Sequence, residues 1–295
     1  MMKSEDSKDA RFRIDAWLPP EMAERAEGVG ATKARLDWPT MLALAILAGA
    51  FIALGAIFAT VAMASPLPYA VNRLLGGLTF CLGLILVVVA GAELFTGNNL
   101  IAMAWASKRV SSAQLVRSWV IVYLGNFIGA AATAAIVFLA KQYTFGAGAV
   151  GKTALTIAQA KCSLGFVQGV VLGILCNALV CLAVWLCYSA RTTTDKVFSI
   201  LFPISAFVAC GLEHSVANMY FIPMGLLIKT FAAPDYWNLI HDSASSYGAL
   251  TWIGFLRNLV PVTLGNTFGG SVMVGLVYWF IYLRKPSRPA SNDAM

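Results

Sequence analysis

GAELFTGNN (residues 91–99) and GLEHSVANM (residues 211–219) decide the fold of this chain, because both interrupt long apolar segments with polar residues. Both stretches fit the pattern G-x-E-x-x-x-x-N, which puts a carboxylate between a flexible glycine and an asparagine. Such groups are costly in lipid and persist there where they line a cavity or a pathway. Paired interruptions at corresponding positions of two halves indicate a transport site between inverted repeats.

The composition is that of a membrane protein. Hydrophobic residues make up 59% of the 295 residues and charged residues 12%, about half the charged share of a typical soluble domain, and the mean hydropathy is +0.75. The net charge of +7 is small for this length and indicates a bias of the loops, not a surface for nucleic acid. The six cysteines have no C-x-x-C spacing, so we expect no disulfide, no metal site and no cofactor.

The apolar segments predict an all-α membrane protein with six transmembrane helices, in a transport domain over residues 37–285. Residues 71–107 and 194–231 are too long for one straight crossing of about 20 residues, so we expect each to be a helix broken at its polar interruption. The other four crossings are predicted at residues 38–64, 113–141, 162–190 and 252–283, with a loop of small residues at 142–159.

The segments outside this domain are predicted to lie on one side of the membrane. Residues 1–36 form a polar tail, in which Pro19 and the acidic turn after it predict a short helix. That helix lies either on the surface or over a pore mouth. Residues 286–295 form the second tail, and a modest excess of Lys and Arg in the loops on the same side favours cytoplasmic termini.

An internal repeat indicates two inverted three-helix halves. The pattern R-x-x-V-x-V-x-L-G-N-x-x-G occurs at residues 117–129 and again at 257–269. Each half holds three crossings, an odd number, so the second copy must run through the membrane in the opposite direction, as in channel and transporter folds. The helix-break residues that match at a constant offset are Gly91, Glu93 and Asn98 in the first half and Gly211, Glu213 and Asn218 in the second.

On these motifs the chain resembles the formate–nitrite transporter family, from Ile14 to Arg284. The stretches that carry the resemblance are GAELFTGNN, LGILCNALVCLAVW at 172–185 and GLEHSVANMYFIPMG at 211–225, of which the last is most like the formate branch. The resemblance implies an aquaporin-like fold and a homopentamer in the lipid bilayer of the bacterial inner membrane, carrying formate or a similar small monovalent anion. Gly97 departs from the family, which usually has Ser or Thr at that position, so the gating of this loop is left open.

His214 is the candidate proton donor of the pathway. A free histidine titrates near neutrality, and a proton passed to a formate-sized anion makes a small neutral acid that crosses apolar constrictions more readily. The alternative is a core histidine bonded to backbone, but a position in a helix break beside Glu213 favours the functional role. The resemblance places Thr96 opposite this histidine and implies that Asn177 hydrogen-bonds it.

The remaining candidates are charged groups and apolar constriction residues. Glu213 and Glu93 each precede an expected half-helix, where a carboxylate accepts backbone N–H groups, and we expect this structural role rather than proton donation. Lys161 is either an ordinary interfacial lysine or, as the resemblance implies, a vestibule lysine that attracts the anion. The resemblance also implies constrictions at Phe80, Leu84, Leu94, Val180 and Phe207.

Other functions stay open to different degrees. The sequence does not fix the anion, and nitrite or hydrosulfide transport within the same family is the nearest alternative. A neutral-solute channel like an aquaporin is disfavoured, because the Asn-Pro-Ala pairs are absent and a lysine and a histidine near the path suit an anion. An enzyme is disfavoured because His214 has neither a metal set nor a nucleophile–base pair around it. The sequence does not separate channel conduction from proton symport.

Overall fold

The structure is a computed structural model, and it describes residues 15–284 of the chain. The start of the resemblance at Ile14 and the tail at 286–295 lie outside the described residues. Between residues 15 and 284 the fold is all-helical and contains no β-strand. Within residues 15–284, five helical segments are long and apolar enough to cross a membrane: Trp38–Met63, Tyr69–Gly91, Ser112–Leu139, Phe166–Ser189 and Trp252–Tyr282.

The described part of the chain forms twelve α-helices. They are α1 (Pro19–Ala34), α2 (Trp38–Met63), α3 (Tyr69–Ile85), α4 (Ile101–Ala106), α5 (Ser112–Leu139), α6 (Ala149–Cys162), α7 (Phe166–Ser189), α8 (Thr193–Ala209), α9 (Ser215–Phe231), α10 (Pro234–Leu239), α11 (Trp252–Phe268) and α12 (Val277–Tyr282). Two of them continue as π-helices, α3 over Leu86–Gly91 and α11 over Gly269–Leu276.

Both predicted helix breaks are present. Helix α3 with its π-helical end stops at Gly91, and helix α8 ends just before Gly211. Gly91 has a φ of 85° and Gly211 a φ of 71°, a left-handed conformation that glycine adopts at little cost. Helices α8 and α9 have 17 residues each, so the fifth predicted crossing, at residues 194–231, consists of two half-helices. The count of six crossings therefore stays a prediction.

Two local expectations from the sequence are wrong. The sequence predicts a loop at 142–159, whereas α6 occupies Ala149–Cys162. Positive φ angles at Gly146 and Gly148 confine the turn to the residues before α6, and the alanines after it favour a helix. The N-terminal helix is also longer than expected, with 16 residues, because Met22 and its neighbours bury one face against the spanning helices.

Glycines bring helices together at matching places in the two halves. A Cβ on Gly129 would collide with a backbone carbonyl of α2, and a Cβ on Gly269 would collide with one of α7. Gly125 and Gly265, one turn earlier, make close approaches to the same two helices. These small residues therefore pack α5 on α2 and α11 on α7 within one chain.

A buried asparagine fastens each helix break to the helices around it. Asn126 donates from Nδ2 to the carbonyl oxygens of Ala45 at 2.7 Å and Glu93 at 2.9 Å, and its Oδ1 accepts from the amide of Phe95 at 2.9 Å. Asn266 makes the equivalent set with a carbonyl of α7, a carbonyl of the second break and the first amide of α9, at 2.8 to 2.9 Å. The two sets agree with the internal repeat; the inverted orientation of the copies stays a prediction.

Candidate functional site

Two cavities lie one after the other along α3. The histidine cavity has a volume of about 340 Å³ and touches Arg73 and Phe80. The second cavity, called the covered cavity because α1 lies over it, has a volume of about 460 Å³ and touches Leu84 and Gly91. Since Phe80 and Leu84 are about one helical turn apart, a rise of about 6 Å, only a short buried segment separates the cavities. Further lining residues are Lys161, Phe207, Glu213 and His214 in the histidine cavity and Lys33, Glu93, Leu94 and Asn98 in the covered cavity.

Thr96 and His214 meet in this buried segment. Thr96 is 0% exposed and His214 is 2% exposed, and Thr96 Oγ1 lies 2.9 Å from His214 Nε2. His214 lines the histidine cavity, while Leu94 and Gly97, on either side of Thr96 in the chain, line the covered cavity. One hydrogen bond therefore joins the two helix breaks at the boundary between the cavities. The resemblance implies only that Thr96 lies opposite His214.

The other ring nitrogen of His214 caps α9. Nδ1 accepts a hydrogen bond from the backbone N–H of Ala217 at 3.0 Å, at the N-cap position of the helix. Because an amide can only donate, Nδ1 carries no proton while this bond is made, and the neutral ring then bears its proton on Nε2. Nε2 thus donates to Thr96 Oγ1, which leaves the hydroxyl hydrogen of Thr96 for another acceptor.

The glutamate of the second break is paired with side chains. Glu213 Oε1 accepts from Lys161 Nζ at 2.8 Å, and Oε2 accepts from Asn218 Nδ2 at 2.7 Å. The Lys161 side chain is 14% exposed and that of Glu213 is 6% exposed. The expectation that Glu213 accepts backbone N–H groups of α9 is wrong, because the ring of His214 and the side chain of Asn266 accept from that first turn.

The glutamate of the first break has the same pattern, with a lysine that the sequence analysis missed. Glu93 Oε1 lies 3.0 Å from Lys33 Nζ, and Oε2 accepts from Asn98 Nδ2 at 2.7 Å. The expected backbone partners are again replaced by side chains. Lys33 belongs to the last turn of α1, outside the internal repeat, so the pattern that identifies the helix breaks carries no signal for it.

Helix α1 lies over the covered cavity. This position agrees with the prediction of a helix over a pore mouth rather than one on the surface. Lys33, Gly30 and Arg25 line the cavity from this helix. An ion pair of 2.7 Å between Glu27 and Arg109 holds α1 to the turn before α5. Helix α1 is therefore packed on the spanning helices and is not only a surface appendage.

Asn177 is one step removed from His214. Its Nδ2 donates to the carbonyl of Asn266 at 2.7 Å, to Oδ1 of Asn99 at 2.8 Å and to the carbonyl of Thr96 at 3.3 Å. Within residues 15–284 it makes no hydrogen bond to His214, contrary to what the resemblance implies. Both nitrogens of the His214 ring are already engaged, so Asn177 positions the backbone of Thr96 instead.

The constriction residues divide between the two cavities. Phe80 and Phe207 line the histidine cavity, with ring centroids 5.5 Å apart in an edge-to-face contact. Leu84 and Leu94 line the covered cavity and are almost fully buried. Val180 is buried in α7 and lines neither cavity as the structure describes them.

Phe221 is a lining residue that the sequence analysis missed. Its ring centroid lies 6.4 Å from that of Phe80 and 5.5 Å from Lys161 Nζ. The ring therefore lies close to both the Phe80 ring and the ammonium group of Lys161. One more apolar residue in an apolar half-helix gives no sequence signal of this position.

Known proteins are similar to this chain in both sequence and fold. Residues 20–280 match the family described as "Formate/nitrite transporter". The chain is 43% identical over 275 residues to the formate channel FocA of Escherichia coli (strain K12), covering 92% of this chain and 96% of that protein. It is 36% identical to the probable formate transporter of Methanothermobacter thermautotrophicus, covering 90% and 97%. A solved structure described as a pentameric formate channel with formate bound is 44% identical, with a TM-score of 0.80, over 84% of this chain and 98% of that one.

Proposed function

The chain belongs to the formate/nitrite transporter family, and from that premise we propose that it carries formate or a similarly small monovalent anion past Thr96 and His214. One observation carries the proposal: the buried hydrogen bond between these two residues lies where the two cavities approach within about one turn of α3. Relatives described as formate channels, and a solved channel described as holding formate, favour formate as the substrate.

The site offers two hydrogen-bond donors to an anion. Nε2–H of His214 and the hydroxyl of Thr96 lie 2.9 Å apart, and a carboxylate has two oxygens that accept from such a pair. An anion that replaces the direct bond between them is solvated at the point where water is excluded. The pair therefore lowers the free energy of the anion where its dehydration is greatest.

The proposed cycle includes a proton transfer to the anion. An imidazolium at His214 gives its Nε2 proton to a carboxylate oxygen of formate, so that neutral formic acid passes the apolar contacts of Leu84 and Leu94. Forming the imidazolium adds a proton at Nδ1, and the ring can then no longer accept from the amide of Ala217. Proton transfer therefore requires the first turn of α9 to shift.

A passive anion pathway is the second candidate, and the bond from Ala217 to Nδ1 favours it. In this candidate His214 stays neutral and donates from Nε2 throughout, together with Thr96. The anion then crosses without a proton. The two candidates differ in how the flux depends on pH.

Uptake into proteoliposomes separates these candidates. The assay compares the uptake of formate, nitrite and hydrosulfide between pH 5 and 8 by the wild type, His214→Asn and His214→Phe. Under proton transfer, His214→Asn keeps a hydrogen-bonding group but loses the wild-type pH profile, and His214→Phe abolishes proton-coupled uptake. Identical profiles in the wild type and His214→Asn would exclude proton transfer and leave the passive pathway. A wild-type protein that passes water or glycerol but none of the anions would overturn the transport proposal.

We also propose that five chains assemble in the membrane, each with its own pathway and with cytoplasmic termini. A solved relative described as pentameric supports this assembly. Leu124 and Leu264, which occupy matching positions of the repeat, are both exposed on the single chain and are suited to lipid or to a neighbouring subunit. Native mass spectrometry in mild detergent tests the assembly, since five chains of 31.5 kDa are expected and a stable monomer or trimer would contradict it.

A further inference from the structure

The charge of Lys161 is balanced at close range. Its Nζ lies 2.8 Å from Glu213 Oε1, and both side chains are largely buried. At a distance of several ångström the fields of two such opposite charges largely cancel. Lys161 therefore contributes little net positive field to the histidine cavity.

Arg73 is a second cation in the same wall. It lies on α3 about two turns before Phe80 and lines the histidine cavity. No carboxylate pairs with it among residues 15–284. The ion pairs of the described residues are Lys33–Glu93, Arg109–Glu27 and Lys161–Glu213.

The end of α8 fixes the position of this guanidinium. Arg73 donates from Nε to the carbonyl oxygen of Ala209 at 3.2 Å, and from Nη2 to the carbonyl oxygen of Val208. The last carbonyls of a helix have no partner inside the helix and carry partial negative charge, so a cation there is stabilised. The contact also shields an incoming anion from these carbonyl oxygens, which would otherwise repel it.

We propose that Arg73 recruits the anion into the histidine cavity, before the anion reaches Thr96 and His214. The ionisable groups that line this cavity besides His214 are Arg73, Lys161 and Glu213, and since the last two form a pair, the net positive charge lies on Arg73. This inference rests on the proposed transport of anions. An anion about 8 Å from the guanidinium is enriched about twofold to sixfold, for effective dielectric constants of about 80 to 40, and salt reduces the enrichment.

Variants at position 73 test the charge separately from the contact with α8. Arg73→Gln keeps an amide donor for the carbonyls of Val208 and Ala209 but removes the charge, whereas Arg73→Lys keeps the charge. Asn72→Ala is the matched control, because Asn72 donates to carbonyls near the end of α2 and lines neither cavity. The assay is the initial rate of formate entry into proteoliposomes of known orientation, at ionic strengths of about 10 mM and about 0.5 M.

With formate added on the side of the histidine cavity, Arg73→Gln should lower the entry rate about twofold to sixfold at low salt and much less at high salt. Arg73→Lys and Asn72→Ala should keep rates close to the wild type. Unchanged entry in Arg73→Gln at low salt, or an equal loss in Arg73→Lys, would overturn the inference. A wild-type protein that carries neither formate nor another small monovalent anion would instead refute the proposed function.

A second variant keeps the test independent of how Arg73 variants fold. Lys161→Met combined with Glu213→Gln removes the balanced pair and leaves the net charge of the cavity on Arg73. The remaining formate entry should then keep its dependence on ionic strength. If that dependence disappears in the double variant, Lys161 and not Arg73 recruits the anion.

Discussion

Replacing Lys161 with methionine should destabilise the protein far more than the loss of a surface charge, because it leaves the buried carboxylate of Glu213 unpaired. Removing one partner of a buried ion pair costs about 3–5 kcal/mol. Glu213 Oε2 keeps hydrogen bonds from Asn218 at 2.7 Å and Asn258 at 3.3 Å, so we expect the lower value, about 3 kcal/mol. At about 2–4 °C per kcal/mol for a large domain, the apparent Tm should fall by about 6–12 °C.

The same reasoning predicts that a second substitution restores stability. Glu213→Gln in the Lys161→Met background removes the unpaired charge, and the glutamine oxygen can still accept from Asn218. The double variant should therefore unfold within about 1 kcal/mol of the wild type, since an apolar replacement of a buried pair is often neutral. Its transport is a separate question, because the cavity has lost two of its charged groups.

The stabilities of four proteins are compared: the wild type, Lys161→Met, Glu213→Gln and the double variant. Their thermal unfolding in detergent is followed by size-exclusion chromatography after heating. Arg109→Met is the control for an exposed pair: the Arg109 side chain is 47% exposed in its contact with Glu27, and its loss should cost about 1 kcal/mol or less. If Lys161→Met unfolds at the wild-type temperature, the pair does not stabilise the fold. If the double variant loses as much as the two single variants together, the unpaired charge is not the cause.

Three further substitutions test other parts of the argument. Gly129→Ala should lower the apparent Tm, because its Cβ would collide with α2. The control Gly28→Ala should leave the Tm unchanged, because its Cβ meets nothing within 4 Å. Equal Tm values for the two variants would contradict the close packing. Thr96→Val should lower formate flux about tenfold by removing the partner of His214 Nε2, with unchanged flux in liposomes as the contrary result. Asn266→Leu leaves two carbonyls and one amide of the second break without their partner and should abolish the monodisperse peak in gel filtration, so a normal peak would refute its fastening role.

The helix breaks could be predicted from the sequence because their polar residues have no place in a lipid-facing helix. Gly91 and Gly211 fall at the residues where φ turns positive, and the constant offset between the two patterns identified them together. The loop predicted at 142–159 was wrong because alanine, threonine and glycine are common to helices and to small-residue loops. Burial of Leu155 and Ala158 in the core decided in favour of the helix, and that burial is a tertiary effect.

The partners of the site residues could not be read from the sequence. Lys33 and Glu93 are separated by sixty positions, and no spacing rule connects a lysine of the N-terminal helix with a helix break. The resemblance implies a hydrogen bond from Asn177 to His214, whereas Asn177 donates to Asn266, Asn99 and Thr96 instead. A bond from Asn177 to His214 is excluded because both ring nitrogens already form hydrogen bonds, Nε2 with Thr96 and Nδ1 with Ala217.

The cap that His214 provides to α9 and its proposed proton transfer can be reconciled by their magnitudes. Losing the bond from Ala217 to Nδ1 costs about 1–3 kcal/mol, the penalty of leaving a buried group unpaired. Burying an unpaired anion costs several kcal/mol, even after the surroundings relax. Pairing an imidazolium with the anion therefore offsets more free energy than is lost with the bond from Ala217. Without the anion, forming the imidazolium only costs free energy. In the proposed cycle the charged ring is favoured only while an anion lies beside it, and entry of the anion would thereby be coupled to uptake of the proton.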